Sequence, residues 1–407
     1  MKTGRVFHVW DLPIGLVWID LGDNFRKNLI DKAKEVIGGE SKLAQYLGIP
    51  KHNLFNWRKG RSYWKNIITR RSIPLSHILK LCELINNPGF SKEELERNVI
   101  SIKGPGSGRS IKTKFPWYED ERIVRIVFHL LADGFGSSYG RINEDGKFGG
   151  NPYYRNTRSE LRSEFKEDLE FFGDVPINLN TDMVVFPKVI SYILKYFYKI
   201  EFGTHTGEIP KVMFDLPKEV IAQGIKSFND DEGGFDDTRV KISSFNKKML
   251  SQFRVLIIKK FPEMKLGIGE IKLCKTMLRN KLYTGYNFAI NSQSLEEYYE
   301  KIGFLHKRKK ELLDQWIQRK DRGWIRRTKG LTKLLILNEL IEKPKTSTEI
   351  SNNIGVTSNS VRCHFKGNRS GTTSLEKEGL IRKIEKNRWG GGIWQITEKG
   401  KKSLANI

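Results

Sequence analysis

Two nine-residue segments constrain this chain more than any other feature. Ile126-Val-Phe-His-Leu-Leu-Ala-Asp-Gly134 and Ile225-Lys-Ser-Phe-Asn-Asp-Asp-Glu-Gly233 end alike, each closing on an acidic residue followed by glycine. A helix that keeps an apolar face to its last turn and stops on a carboxylate beside a glycine cap presents that anion at the bottom of a packed helix pair. Two such helices side by side bring Asp133 and Glu232 together. Like charges at short range drive one pKa upward, and a hard divalent cation such as Mg²⁺ resolves that conflict. The two segments therefore predict a metal site with Asp133 and Glu232 as its ligands.

The rest of the composition says who could meet that site. With 72 basic against 47 acidic residues the net charge is +25, which points to a polyanionic partner. No stretch approaches the length of uninterrupted apolar sequence that spans a bilayer, and the start of the chain lacks a basic-then-apolar secretory pattern. The expectation is a soluble, cytoplasmic, nucleoid-associated protein with no membrane partner. At 407 residues the chain is long enough for two or three domains. Cys82, Cys274 and Cys363 are scattered singly and form neither a disulfide framework nor a zinc cluster. The histidines show no ligand spacing, and Cys363-His364 reads as two neighbouring helix positions that point apart.

Residues 1–100 read as an all-α helix-turn-helix domain. Ser41 to Gly48 opens on a good cap residue and closes on glycine, and a second helix starts at Pro50 with proline in its tolerated first turn. That second helix exposes Lys51, His52, Asn53, Asn56 and Arg58, donors suited to phosphates and base edges, while Leu54 and Trp57 pack inward. Residues 101–115, with Lys103-Gly-Pro-Gly-Ser-Gly-Arg-Ser110, have the wrong spacing for a phosphate-binding loop and read as a flexible basic linker.

From 116 to 315 the chain carries a weak internal repeat. Each acid-tipped helix leads to a strand region, a polar turn and a second amphipathic helix: Leu161, Phe165, Leu169 and Phe172 in the first copy, Leu250, Phe253, Ile257 and Phe261 in the second. A further strand and helix follow in each. Two α/β units joined through their first helices make a pseudo-two-fold domain with two sheets. After a second basic linker at 316–328, residues 329–407 give three helices and a hairpin, the order of a winged helix. Arg362 and Lys366 on its third helix, with Arg382, Lys383, Lys386 and Arg388 beside Trp389 on the hairpin, form its expected DNA-binding set.

With these residues laid out, the central region resembles the LAGLIDADG (DOD-type) homing endonuclease family in the two-motif, single-chain form found in archaeal intein and intron enzymes. The two motifs are the two acid-tipped nonapeptides. Tyr154-Arg-Asn-Thr-Arg-Ser-Glu-Leu161 with Phe171-Phe-Gly173, the Ile209-Pro210 turn, and Tyr286 to Ile290 leading to Ile302-Gly-Phe-Leu-His-Lys307 extend the resemblance over most of the region. It implies an α+β fold of αββαββα order, a saddle of two four-stranded sheets whose concave face follows the major groove, with the motif helices at its centre. It further implies that Asp133 and Glu232, with Gly134 and Gly233 beside them, hold two or more divalent ions, Mg²⁺ foremost. Asp230 and Asp231 rank as supporting or surface residues. Lys211 and, in the second half, Lys272 are the lysines placed to assist catalysis, with Lys275 and Lys281 as further candidates.

This sequence departs from the family where the helices cross, with Phe128 in the first copy and Ser227 in the second in place of small residues. A bulky Phe128 is expected to push the helices apart or to reorient them. The chain starts Met1-Lys2 and ends Ala405-Asn406-Ile407, without the terminal nucleophiles of a splicing element, and is read as freestanding. Three functions compete: a monomeric, site-specific, metal-dependent endonuclease acting on double-stranded DNA; a transcriptional regulator on the same scaffold that no longer cuts; and an RNA maturase assisting an intron.

Overall fold

Phe25, Leu29, Ile30 and Ala33 fall on one face of α1 (Asp23–Ile37), which buries them and stops where Gly38 turns left-handed at φ 81°. α2 (Glu40–Leu47) and α3 (Lys51–Lys59) come next, with Leu54 and Trp57 of α3 buried. α4 (Leu75–Ile85) and α5 (Lys92–Arg97) complete the helices of this region. The structure is a computed structural model and describes residues 4–64, 67–70, 72–105, 108–136, 151–200, 202, 206–236, 238–278, 281–321, 330–367, 374–386 and 392–405. The chain divides into two compact units, Met1–Gly234 with Val240–Lys309, and Lys310–Ile407 with Phe235–Arg239.

The all-α reading of the first region needs correction. A four-stranded antiparallel sheet runs through it in the order Ile73–Pro74, Trp18–Leu21, Val99–Lys103, Ile111–Lys112. Strands of two to five residues are too short to write a clear period-two pattern, so the helical signal around them dominates the sequence. The expected linker at 101–115 holds part of that sheet: Ser101 pairs with Lys112 and Ile102 with Ile111, and both isoleucines are fully buried. Residues 5–7 are also tied down. Val6–Phe7 pairs with Trp117–Tyr118, while Arg5 bonds Glu119 at 2.8 Å and the Tyr198 hydroxyl donates to the same carboxylate at 2.6 Å.

The next region is built on α6 (Glu121–Asp133) and α9 (Lys218–Glu232), which pack on each other. Between and after them come α7 (Ser159–Leu169), α8 (Lys188–Tyr198), α10 (Lys247–Lys260), α11 (Leu295–Lys301) and α12 (Lys307–Asp321). Each motif helix runs directly into an edge strand, Gly134–Phe135 or Gly233–Phe235. In the first sheet that strand is followed by Tyr153–Arg155, then Met183–Val185, then Asn178–Leu179. The second sheet repeats this order with Gly233–Phe235, Arg239–Ser244, Lys281–Asn291 and Lys272–Leu278. The internal repeat is therefore present as two sheets of identical topology.

Phe128 does not wedge the motif helices apart. A Cβ placed on Gly224 of α9 would lie 2.4 Å from the Phe128 ring, so the missing side chain of Gly224 is the space that the ring fills. Phe228 meets Phe128 edge-on at 6.4 Å and packs on Phe253 at 4.3 Å, closing an aromatic cluster beneath the crossing. Small-for-large exchange across the interface keeps the close approach that a small residue in α6 would have given.

In the second unit α13 (Leu331–Glu339), α14 (Ser347–Ile354), α15 (Ser358–Lys366) and α16 (Glu398–Ala405) accompany a three-stranded sheet ordered Lys345–Thr346, Gly392–Ile396, Ile381–Lys386. Ile336, Ile350, Val361, Phe365, Leu375 and Trp394 form its core. The second expected linker, 316–328, begins as the last turns of α12, and residues 322–329 lie outside the described residues. Among the described residues no helix is long and apolar enough to cross a membrane.

Candidate functional site

The two motif helices end in the same way for a steric reason. Gly134 and Gly233 have φ of −101° and −93°, open to any residue, so neither is a left-handed cap. What excludes a side chain is proximity: a Cβ would stand 2.4 Å from the Leu130 Cα at the first and 2.5 Å from the Asn229 carbonyl oxygen at the second. Each chain therefore leaves its helix as an edge strand pressed against the helix's own last turn. Asp133 and Glu232, one residue earlier, are set at equivalent corners.

Both carboxyls titrate far above the ordinary range. Burial, reinforced by Asp231, pushes Asp133 up to about 7. Burial, reinforced by the charges of Asp133 and Asp231, pushes Glu232 up to about 8. The two groups lie within electrostatic reach of each other at the negative ends of two helix dipoles, where a carboxylate is least welcome. An all-oxygen, anionic pair in that position is the donor set a hard divalent cation takes, so the residues fit the predicted metal.

Asp230 and Asp231 are buried, and the surface reading of them is corrected. Asp231 reaches across to the other half: the Tyr154 hydroxyl donates to it at 2.6 Å, Asn156 Nδ2 at 3.0 Å, and His129 Nδ1 stands 2.8 Å from its second oxygen. Asn156 Nδ2 also reaches Asp133 at 3.3 Å, so one amide bridges the two acids. Asp230 accepts the backbone N–H groups of Leu305 at 2.9 Å and His306 at 3.1 Å, which fixes the entry into α12. Burial raises Asp230 to about 6 despite these donors.

Two cations serve the cluster, and sequence reasoning named neither. Burial opposes the charge on His129, yet Asp231 outweighs it and holds the imidazole at about 9. Lys309 donates to the Asn229 carbonyl at 3.1 Å and the Asp230 carbonyl at 2.6 Å, sealing the end of α9, and its charge acts on Asp133, Asp230, Asp231 and Glu232. Burial lowers its pKa. The predicted Lys211 and Lys272 are exposed on other elements; Lys211 opens the turn Lys211–Phe214, where its charge acts on Glu208. The signal for Lys309 was its place in a basic run directly after the Ile302 to Lys307 segment. The signal for His129 was a polar ring in an otherwise apolar motif.

Behind His129, Glu164 and Asp168 project from α7. Arg125 of α6 holds Asp168 through Nε at 2.8 Å and a second, shorter contact, and stands 3.6 Å from Glu164. Burial pushes Glu164 up to about 7.

The expected DNA-binding residues are divided. Lys51 and His52 are exposed on α3 and Asn53 and Asn56 half-buried, whereas Arg58 is engaged by Asp31 at 2.7 Å. Lys366 is exposed, Arg362 donates to Ser358 Oγ at 2.9 Å, and Arg382 donates to Gln395 at 2.9 Å and 3.2 Å. Lys383 is half-buried; the side chain of Lys386 and the whole of Arg388 lie outside the described residues.

No family model matches the chain. It is 22% identical over 270 residues to the DNA polymerase II large subunit of Thermococcus kodakarensis, a match covering 61% of this chain and 14% of that protein's length. Among solved structures it is similar to mesophilic variants of the homing endonuclease I-DmoI, at 13% identity and TM-score 0.30 over 45% of this chain and 97% of that one. The homing endonuclease I-WcaI bound to its DNA recognition sequence gives 9% identity and TM-score 0.28 over 45% of this chain and 81% of that one. These neighbours are homing endonucleases, and the functional reading of this chain rests on the residues of its own site.

Proposed function

We propose that this chain is a site-specific DNA endonuclease of the LAGLIDADG type that hydrolyses phosphodiesters with divalent metal at Asp133 and Glu232. The observation that carries the reading is the twinned placement of those two half-buried acids at the ends of α6 and α9, each locked by a glycine that cannot carry a side chain. A cation held there would supply the charge that stabilises the attacking and leaving oxygens of an in-line displacement. Asn156 orients the Asp133 oxygens, Asp230 anchors α12, and Lys309 offers a half-buried ammonium to the anionic phosphate. The exposed Lys51, His52 and Lys366 contribute backbone contacts that fix register without reading sequence. Helix-turn-helix and winged-helix roles for the first and last regions belong to the same proposal.

Incubation with a plasmid library in Mg²⁺, and in parallel with EDTA, tests the reading. Discrete linear products are expected only with metal, and Asp133→Asn and Glu232→Gln should each abolish them while DNA binding persists. Footprinted binding without nicking under any metal would favour the silent regulator, and selective protection of a structured intron RNA the maturase.

A further inference from the structure

We propose that His129, Glu164 and Asp168 form a second metal site, distinct from the Asp133–Glu232 pair, for a borderline transition cation of the Zn²⁺ class. One ligand atom from each of the three lies within 4.8 Å of the other two. Glu164 and Asp168 are four residues apart on α7 and so share one face of that helix, and His129 meets them from α6.

The independent observation is the imidazole itself. His129 is fully buried, and its Nε2 has no hydrogen-bond partner. A buried ring nitrogen left bare costs free energy that a ligand would recover. Its other nitrogen is held by Asp231 at 2.8 Å, which is the arrangement of a metal-ligating histidine whose far N–H rests on a carboxylate that fixes tautomer and ring direction.

Arg125 does not already fill the role. Its fork takes one lone pair from each oxygen of Asp168, and a carboxylate has roughly four lone-pair directions, so capacity for a cation remains on that group. The guanidinium thereby orients the ligand, as an outer partner does at other metal sites. A cleft of about 720 Å³, lined by Arg122, Arg125, Glu160, Glu164, Asp168 and Gln223, opens onto the two carboxylates, while His129 lies outside its lining. One imidazole nitrogen with two carboxylate oxygens suits Zn²⁺, Co²⁺ or Mn²⁺; Mg²⁺ and Ca²⁺ take oxygen alone. A cation there would bolt α6 to α7 and, through the ring and Asp231, steady α9.

The proposal stands whether or not the chain cuts DNA, and its test reads metal directly. Full-length protein is stripped with chelator, then titrated with Co²⁺ in excess Mg²⁺ while visible absorption is followed. One equivalent should give the intense bands of a low-coordinate, nitrogen-containing site, bleached by Zn²⁺. The Asp133→Asn, Glu232→Gln double variant should keep that signal. Glu164→Gln and Asp168→Asn, checked for folding by circular dichroism, should lose it, and Asp231→Asn should weaken affinity by roughly 10–100-fold. Absence of the bands in the parent protein, their persistence in Glu164→Gln and Asp168→Asn, or their loss in the Asp133→Asn, Glu232→Gln variant would each overturn the assignment.

Discussion

Asp133 and Glu232 still hold protons at a pH where ordinary carboxyls have lost them, about 7 and about 8 against ordinary values of 3.8 and 4.5. The folded state thus binds more protons than the unfolded chain between those limits, and stability falls as pH rises through the window. His129, at about 9 against 6.5, acts in the same direction, its contribution being full below the lower value and lost through the higher. Calorimetry of chelated protein should show Tm declining from mildly acid to mildly alkaline pH, with added Mg²⁺ restoring more of it at the alkaline end. A metal-free Tm that does not change with pH would refute this electrostatic picture. Asn156→Ala removes the amide that bridges Asp133 and Asp231, and single-turnover cleavage should slow by about tenfold, the equivalent of roughly 1.4 kcal/mol, with DNA affinity unchanged. That Asp133 and Glu232 end two helices packed on each other was legible in the sequence, because each follows a segment with an apolar helical face. His129 with Asp231, and Lys309, were not, because their meaning lies in contacts between residues far apart on the chain.

At the level of elements, the crossing of α6 and α9 depends on one absent side chain. Gly224→Ala puts a methyl 2.4 Å from the Phe128 ring, against a packed cluster that includes Phe228 and Phe253, and overpacking of this kind costs about 1–3 kcal/mol. Thermal melts should show that loss, and the added Phe128→Leu should recover part of it, since the two positions share one space. Full additivity would mean the ring is not seated in the Gly224 gap. The helices of this region were readable from their apolar spacing, and the repeat from its order. The strands at Val99–Lys103 and Ile111–Lys112 were masked by the Gly-Pro-Gly-Ser-Gly run between them, whose composition describes a tether as well as it describes the connection inside a sheet.

Across the whole molecule the +25 charge would make the proposed affinity for DNA a steep function of salt. Filter binding over a range of KCl should give a strongly negative log–log slope, and Lys51→Ala and Lys366→Ala should each flatten it by about one unit if each neutralises a phosphate. An unchanged slope would remove that lysine from the interface. The ring lodged in the Gly224 notch also gives the molecule a handedness that its matching sheets conceal. In the first motif helix the place of Gly224 is taken by Arg125, and in the second the place of Phe128 is taken by Ser227. Two copies of the leading half would drive Phe128 into Arg125, and two copies of the trailing half would leave a void between Gly224 and Ser227. Cut into separate polypeptides, the halves should rejoin only as unlike mates, and a duplex laid along such a couple has no need to be a palindrome.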